Sequence, residues 1–599
     1  MSEHVADYVL KRLRSWGIHR VFGYPGDGIN GFLGAFARVD EDPEFIQVRH
    51  EEQAAFMACA HAKFAQEIGC CIATSGPGAI HLLNGLYDAK LDHQPVLALV
   101  GQQKRFSMGA HYQQEVDLNT LFKDVSIFVN TCTHPAQARH LIDRGIRCAY
   151  SESGVAVIVF PDDVQEAEAM ESPPREHGAV YSSIGWSAPR VIPKQEDLEQ
   201  AAHVLNEGEK VAVLIGQGAR DAADEVVEVA DLLGAGVAKA LLGKDVLPDD
   251  LPFVTGSLGL LGTKPSHEMM MNCDTLFLIG TSFPYAEWLP EEGQARCVEI
   301  DLDGRMIGIR YPADVHLVGD ARSTLQELIP LLERKEDRSW REAIEHNVAS
   351  WWDLMDERSN DEMDYLNPQY VAWTLNDVLP DDAILTADSG SSTNWWARQV
   401  KIRKGMKASL SGTLATMGPG VPYAIAAKFA YPERAVVCFV GDGAFQMSGM
   451  NELITVKRFW DSHLRRDGAP LVFCVFNNQD LNQVTWEQRV LAGDPRNPAT
   501  QQIPDFPYAQ YAELLGFAGI RCERKEDMPG AWQQAMATSD LPVILEVVVD
   551  REVPPLPPHI KMEQAQKMMS AVAAGDQDRV GMMKKAARGK LDEFKESWR

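Results

Sequence analysis

Residues 435–478 read AVVCFVGDGAFQMSGMNELITVKRFWDSHLRRDGAPLVFCVFNN, and this stretch decides the fold class. The run AVVCFV is wholly apolar and stops at Gly441-Asp442-Gly443; LVFCVF repeats it and stops at Asn477-Asn478, with a helical stretch between. Strands that are apolar on both faces and joined through a helix are the parallel strands of a covered sheet. Both polar clusters then fall at the carboxyl ends of parallel strands, where open α/β sheets bind their ligands.

The same alternation recurs through the chain. RVFGYP, GCCIATSG, PVLALVG and GVAVIVFP are strand candidates in the first third; KVAVLIGQG, DTLFLIGTSF and RCVEIDLD follow in the second; AILTADSG and PVILEVVV join the quoted pair in the last. A Pro- and Ser-containing linker near ESPPREHG and SAPRVIPK separates the first two units. The reading is an α/β chain of three doubly wound parallel-sheet domains, residues 1–185, 190–345 and 360–550, followed by a C-terminal arm and amphipathic helix over 551–599. A length of 599 residues accommodates this at roughly 100–200 residues per domain.

Composition narrows the function classes. Lys and Arg number 57 against 85 Asp and Glu, a formal charge of −28, which argues against a general nucleic-acid binder. No apolar run approaches the ~18–20 residues needed to span a bilayer. The start, MSEHVADYVLKRLRSWG, places Val5, Val9, Leu13 and Trp16 at helical spacing and reads as an amphipathic helix, not a signal peptide. Ten scattered cysteines without a Cys-x-x-Cys pair read as buried reduced thiols of a cytoplasmic protein.

Asp442 and Asn478 supply hard oxygens suited to Mg²⁺, and the flanking glycines let backbone N–H groups approach a diphosphate. Alone, Gly-Asp-Gly is a common turn. Joined through a helix to a strand ending in Asn-Asn, it resembles the thiamine diphosphate signature of the decarboxylase and carboligase superfamily. Here 33 residues separate Gly443 from Asn477, a few more than that signature has, and DSHLRRDGAP reads as a surface insertion. With RHEEQAAF, TSGPG, GLYDAKLDHQPVLALVGQ, GSLGLLGTKPS, LIGTSFPY and PPHIKMEQAQ, the chain is similar to the branch of pyruvate oxidase and quinone-linked pyruvate dehydrogenase, with acetolactate synthase a close relative. The order implied is a PYR-type domain, a central FAD-type domain and a PP-type domain.

The resemblance implies roles residue by residue. Glu51 hydrogen-bonds the aminopyrimidine N1′ of thiamine diphosphate; Met417 wedges under the cofactor and Ala415 offers its carbonyl to the 4′-amino group. Gly390, Ser391, Gly441, Gly443 and Ala444 line the diphosphate. Asp442, Asn478 and the backbone carbonyl of Asp480 hold Mg²⁺. His93 and Gln114 line the substrate side. Each has a plainer reading: a carboxylate at a helix start, a methionine filling core, a satisfied histidine, an exposed amide. Gln113, Gln483 and Gly28 depart from the oxidase pattern toward a more polar or open pocket, which bears on the preference for pyruvate and on electron passage to flavin.

In the central unit, Gly216, Gly218, Gly256, Gly259, Gly280, Thr281, Phe283, Asp301, Gly319 and Asp320 stand near strand ends, and the resemblance implies that they hold FAD. Ala286 stands where quinone-linked relatives carry Arg. The implied function is oxidative decarboxylation of pyruvate or a related 2-oxo acid, electrons passing to FAD and then to a quinone or O₂. A carboligase of acetolactate synthase type, keeping a flavin that its net reaction does not use, is the alternative of a different class; a non-catalytic cofactor-binding scaffold is the third. Because the family sets Glu51 of one subunit against the Mg²⁺ site of another, the active unit is a homodimer or homotetramer.

Val580, Met583, Ala587, Leu591, Phe594 and Trp598 fall on one helical face, and residues 579–599 hold seven Lys and Arg against three acids. A basic amphipathic helix on an acidic chain suggests peripheral membrane contact; a helix packed on its own subunit is the alternative. The membrane reading expects the full chain to float with anionic liposomes and a chain ending at residue 575 not to; equal flotation removes that reading.

Overall fold

The computed structural model describes residues 3–555, 562–576 and 578. Three sheets, each of six parallel strands, form the body. The first contains β1 (Arg20–Gly23), β2 (Glu44–Gln47), β3 (Gly69–Ala73), β4 (Val96–Gln102), β5 (Phe128–Thr131) and β6 (Val155–Pro161), ordered β2-β1-β3-β4-β6-β5. The second contains β7 (Val211–Ile215), β8 (Gly236–Lys239), β9 (Val254–Ser257), β10 (Thr275–Ile279), β11 (Arg296–Asp301) and β12 (Val315–Val318), ordered β12-β11-β10-β7-β8-β9. The third contains β13 (Ile384–Ala387), β14 (Lys407–Ser409), β15 (Val436–Gly441), β16 (Leu471–Asn477), β17 (Ala518–Cys522) and β18 (Val543–Val548), ordered β14-β13-β15-β16-β18-β17.

The α/β class is as the sequence indicates, and the order adds detail. The first and third sheets share one topology, while the second has the 3-2-1-4-5-6 order of dinucleotide-binding folds. Strand order reverses between β1 and β3, between β7 and β10, and between β13 and β15, leaving a crevice at each carboxyl edge.

One core joins the first and third sheets. Helix Glu51–Ala65, EEQAAFMACAHAKFA, packs against helix Gly420–Ala430, GVPYAIAAKFA. Both are buried almost all round, so their alanines serve close approach of two backbones. Across this contact Lys63 Nζ donates at 2.6 Å to Asp92 Oδ2 and at 2.6 Å to the carbonyl of Leu410, with both charged side chains buried.

Helix Val5–Ser15 buries Val5, Val9 and Leu13, and Trp16 follows it, donating from Nε1 to Asp143 at 2.8 Å. All ten cysteines are free, nine of them buried. The insertion near DSHLRRDGAP is less superficial than the sequence suggests. A wide helical turn over Trp460–Leu464 buries Trp460 and Leu464, and only the residues flanking Gly468 form an exposed loop. No regular element lies between helix Asp162–Gln165 and helix Gln195–Glu207, where the linker was expected. Among the described residues no helix is long and apolar enough to cross a membrane. Helix Met562–Ala573 sets Met568 and Val572 on Trp486 and Val490; the amphipathic stretch over 579–599 lies outside the described residues.

Removing one member of a buried ion pair strands the other. Lys63→Met is expected to destabilise the chain by about 3–5 kcal/mol in chemical denaturation, with partial recovery in the Lys63→Met, Asp92→Asn double variant; a loss below about 1 kcal/mol, the range of exposed pairs, would show that the pair is not desolvated.

Candidate active site

At the end of β15, Asp442 is 2% exposed. Its Oδ1 accepts from the Gly443 N–H at 2.8 Å, and its Oδ2 from the N–H groups of Gln479 at 2.6 Å and Asn478 at 3.1 Å. The ends of β15 and β16 are thereby tied together. Asn478 Oδ1 accepts from the Asp480 N–H at 3.0 Å, and Arg496 Nε donates to Asp480 Oδ1 at 2.8 Å, while Asp480 Oδ2 is buried without a partner. Burial pushes the Asp442 carboxyl up to about 7 despite its N–H donors, and the Asp480 charge adds to the rise. Two buried carboxylates, one of them with an orphaned oxygen, and an amide oxygen form a donor set suited to a hard dication.

Across the crevice, β13 ends at Asp388. Its Oδ1 accepts from the Gly418 N–H at 2.9 Å and its Oδ2 from the Gly420 N–H at 2.8 Å. That buried carboxylate pins the loop bearing Ala415, whose φ is +52°, and Met417, which is half-buried against the shared core. Gly390 has a φ of +136° with open space where a side chain would stand, and Gly441 is open likewise. Helix Ser391–Gln399 begins beside it. Gly390, Ser391, Gly441, Gly443, Ala444, Ala415 and Met417 are thus gathered at one switch point with Asp442, and free N–H groups at a helix start suit a diphosphate.

Glu51 is the first residue of its helix, 7% exposed. His50 caps that helix, Nδ1 accepting from the Glu52 N–H at 3.2 Å. Glu51 Oε2 lies 2.9 Å from His81 Nδ1, and the His50 and His81 rings stack at 4.4 Å. No hydrogen bond or ion pair among the described residues joins Glu51 to Asp442, Asn478 or Met417. Gln114, with a φ of +62°, stands against Gly76 at the first sheet's crevice. Gly28 donates its N–H to Thr74 Oγ1 at 2.9 Å; a β-carbon there would sit 2.6 Å from Ser75 Oγ, which explains glycine in place of serine.

His93 is exposed and lies near Asp301 and Asp303, at the second sheet. Beside it Gln217 Nε2 donates to the Asp92 carbonyl at 2.8 Å. At the crevice between β7 and β10, Gly216, Gly218 and Gly280 touch one another, the Gly218 N–H donating to the Gly280 carbonyl at 3.0 Å. Thr281 and Phe283 are buried nearby, and Asp301 ends β11 with its carboxyl raised by burial. Gly256 lies in β9, and Gly259 on the loop that follows it, which is held by Arg398 donating to the carbonyls of Leu260 at 2.8 Å and Gly262 at 3.1 Å. Asp320 caps helix Ala321–Leu328 by accepting from the Ser323 N–H at 2.8 Å, and Thr324 and Pro193 fill the space a Gly319 side chain would take.

Family comparison fits this layout. The thiamine pyrophosphate enzyme N-terminal TPP binding domain matches residues 3–121, the central domain 198–328 and the C-terminal TPP binding domain 388–547. The chain belongs to the thiamine pyrophosphate enzyme family. Its relatives there include the thiamine pyrophosphate-containing protein YdaP of Bacillus subtilis, 39% identical over 92% of each chain. Pyruvate oxidase of Lactiplantibacillus plantarum is 30% identical over 91% of this chain and 89% of its own, and acetolactate synthase of Mycobacterium bovis 29% over 92% and 89%. Motif reading misses His81, Asp388 and Asp92, which hold Glu51 and the segment around Met417. Only Asp388, an acid at a strand end like Asp442, carries a signal in sequence.

Burial pushes the Asp388 carboxyl from its ordinary 3.8 up to about 7. Folding therefore favours its protonated form, a contribution full below pH 3.8 and lost as pH rises through about 7. The cofactor-free chain is expected to lose stability as pH rises from about 4 to about 7, and Asp388→Asn to flatten that slope; equal slopes in paired denaturation curves would refute it.

Proposed function

We propose that this thiamine pyrophosphate enzyme binds thiamine diphosphate, Mg²⁺ and FAD and oxidatively decarboxylates pyruvate or a related small 2-oxo acid, with a quinone or O₂ reoxidising the flavin. The observation that carries the cofactor set is the orphaned, buried Asp480 oxygen beside Asp442 at the β13/β15 crevice, supported for FAD by the 3-2-1-4-5-6 order of the second sheet.

Thiamine diphosphate, when bound, supplies the electron sink for decarboxylation, and FAD a two-electron acceptor. Asp442, Asn478 and the Asp480 carbonyl would hold Mg²⁺; Gly390, Ser391, Gly441, Gly443 and Ala444 would take the diphosphate at the helix start. Glu51 would hold the proton exchanged with the pyrimidine N1′, Met417 would support the ring and the Ala415 carbonyl would accept from its amino group. Gly216, Gly218, Gly256, Gly259, Gly280, Thr281, Phe283, Asp301, Gly319 and Asp320 would line FAD, and His93 would line the substrate side. Gln114 stays on the substrate side. A homodimer or homotetramer, with Glu51 of one subunit set against the Mg²⁺ site of another, would complete the site between subunits. The carboligase reading keeps support from the acetolactate synthase relatives.

Anaerobic mixing of the holoenzyme with pyruvate, followed by a panel of other 2-oxo acids, separates the two. Bleaching of the flavin is the expected result; acetolactate or acetoin formed without bleaching selects ligation. Glu51→Gln is expected to keep thiamine diphosphate and lose about 10²–10⁴-fold in turnover, and wild-type turnover in that variant would overturn the role of Glu51.

A further inference from the structure

The side chain of Glu51 has two oxygens in different surroundings. Oε2 is engaged by His81 Nδ1 at 2.9 Å. Oε1 faces Gly78, where a β-carbon would stand 3.1 Å away, so the missing side chain keeps that oxygen clear. We infer that His81 is a positioning residue for Glu51: it holds Oε2 by a donated hydrogen bond and thereby presents Oε1 to the cofactor's pyrimidine nitrogen. The inference rests on the role given to Glu51 under Proposed function.

The surroundings of His81 fit this work. An ionised carboxylate only accepts, so Nδ1 of His81 carries the proton in that bond. The neighbouring His50 accepts at Nδ1 from the Glu52 N–H at 3.2 Å and is therefore the neutral tautomer with its proton on Nε2. Its ring lies on that of His81 at 4.4 Å and 30°, fixing the plane of the donor. Glu52 is in turn engaged by Asn84 Nδ2 at 2.5 Å, and Asn84 also donates to Thr416 Oγ1 at 3.1 Å, beside Met417. Glu52 thus has a partner of its own and does not compete for His81. His81 ends helix Pro77–His81, which begins at the TSGPG turn, so the crevice of the first sheet sets the height of the imidazole above Glu51. Released from His81, the carboxylate rotates freely and its two oxygens become equivalent, and misplacement of a reacting group by about 1 Å costs on the order of 10²-fold.

The test uses the holoenzyme and three variants, His81→Ala, His81→Asn and Glu51→Gln. The asparagine amide stands where Nδ1 stands and keeps the donor. Thiamine diphosphate affinity is read from quenching of tryptophan fluorescence in the presence of Mg²⁺, and activation of the bound cofactor from deuterium exchange at its C2 carbon without substrate. His81→Ala is expected to bind thiamine diphosphate as the parent does and to exchange about 10–100-fold more slowly, with His81→Asn recovering most of the rate. Parental exchange in His81→Ala, or exchange in His81→Asn as slow as in His81→Ala, overturns the inference, the latter by assigning the effect to ring packing on His50. Parental exchange in Glu51→Gln overturns the role of Glu51 itself; slow exchange there with parental exchange in His81→Ala overturns only the positioning role.

Discussion

The buried ion pair between Lys63 and Asp92 is the constraint on which the assembled site depends. Lys63 belongs to the helix that begins at Glu51, and Asp92 accepts from the N–H groups of Gly412 at 2.8 Å and Thr413 at 2.7 Å in the segment leading to Met417. The Asp92 carbonyl meanwhile accepts from Gln94 and from Gln217 of the central unit. Burial would raise the Asp92 carboxyl, but Lys63 and those N–H donors outweigh it and hold it low. A second acid, Asp88, lies in the same pocket with Tyr423 as its donor, and burial drives its carboxyl up. One cation serves two acids, so Asp92 takes the charge and the three domains are referred to a single point. A desolvated pair of this kind adds little net stability but is strict in geometry.

How much of this could be read from sequence depends on what a residue faces. The inner strands β3, β4 and β6, and β13, β15, β16 and β18, are apolar on both faces and stand out as runs such as GVAVIVF and LVFCVF. The edge strands do not: EFIQ of β2 and FVNT of β5 turn one side to solvent, and VTGS of β9 is buried but carries Thr, Gly and Ser instead of an apolar run. Strand order is not legible at all, since it is decided by which crossover packs on which face, and it separates the central sheet from the other two.

The site divides in the same way. Asp442 and Asn478 announce themselves because ligand chemistry needs them next to glycine at strand ends. His81 and Asp92 have no local signature; their meaning lies in partners 30 and 29 positions away. Asp320 is the converse case. An acid after glycine at a strand end looks alike in sequence whether or not it caps the following helix, and the bond from the Ser323 N–H shows that Asp320 does.

The shared order of the first and third sheets has a further consequence. Helix Glu51–Ala65 crosses from the second strand of its sheet to the third, and helix Gly420–Ala430 makes the same crossover in its own. The two helices that pack together are therefore counterparts, and their contact is isologous in kind although both surfaces belong to one chain. The polypeptide resembles a dimer within itself, whose halves have diverged so that one carries the acid at a helix start and the other the acids at strand ends.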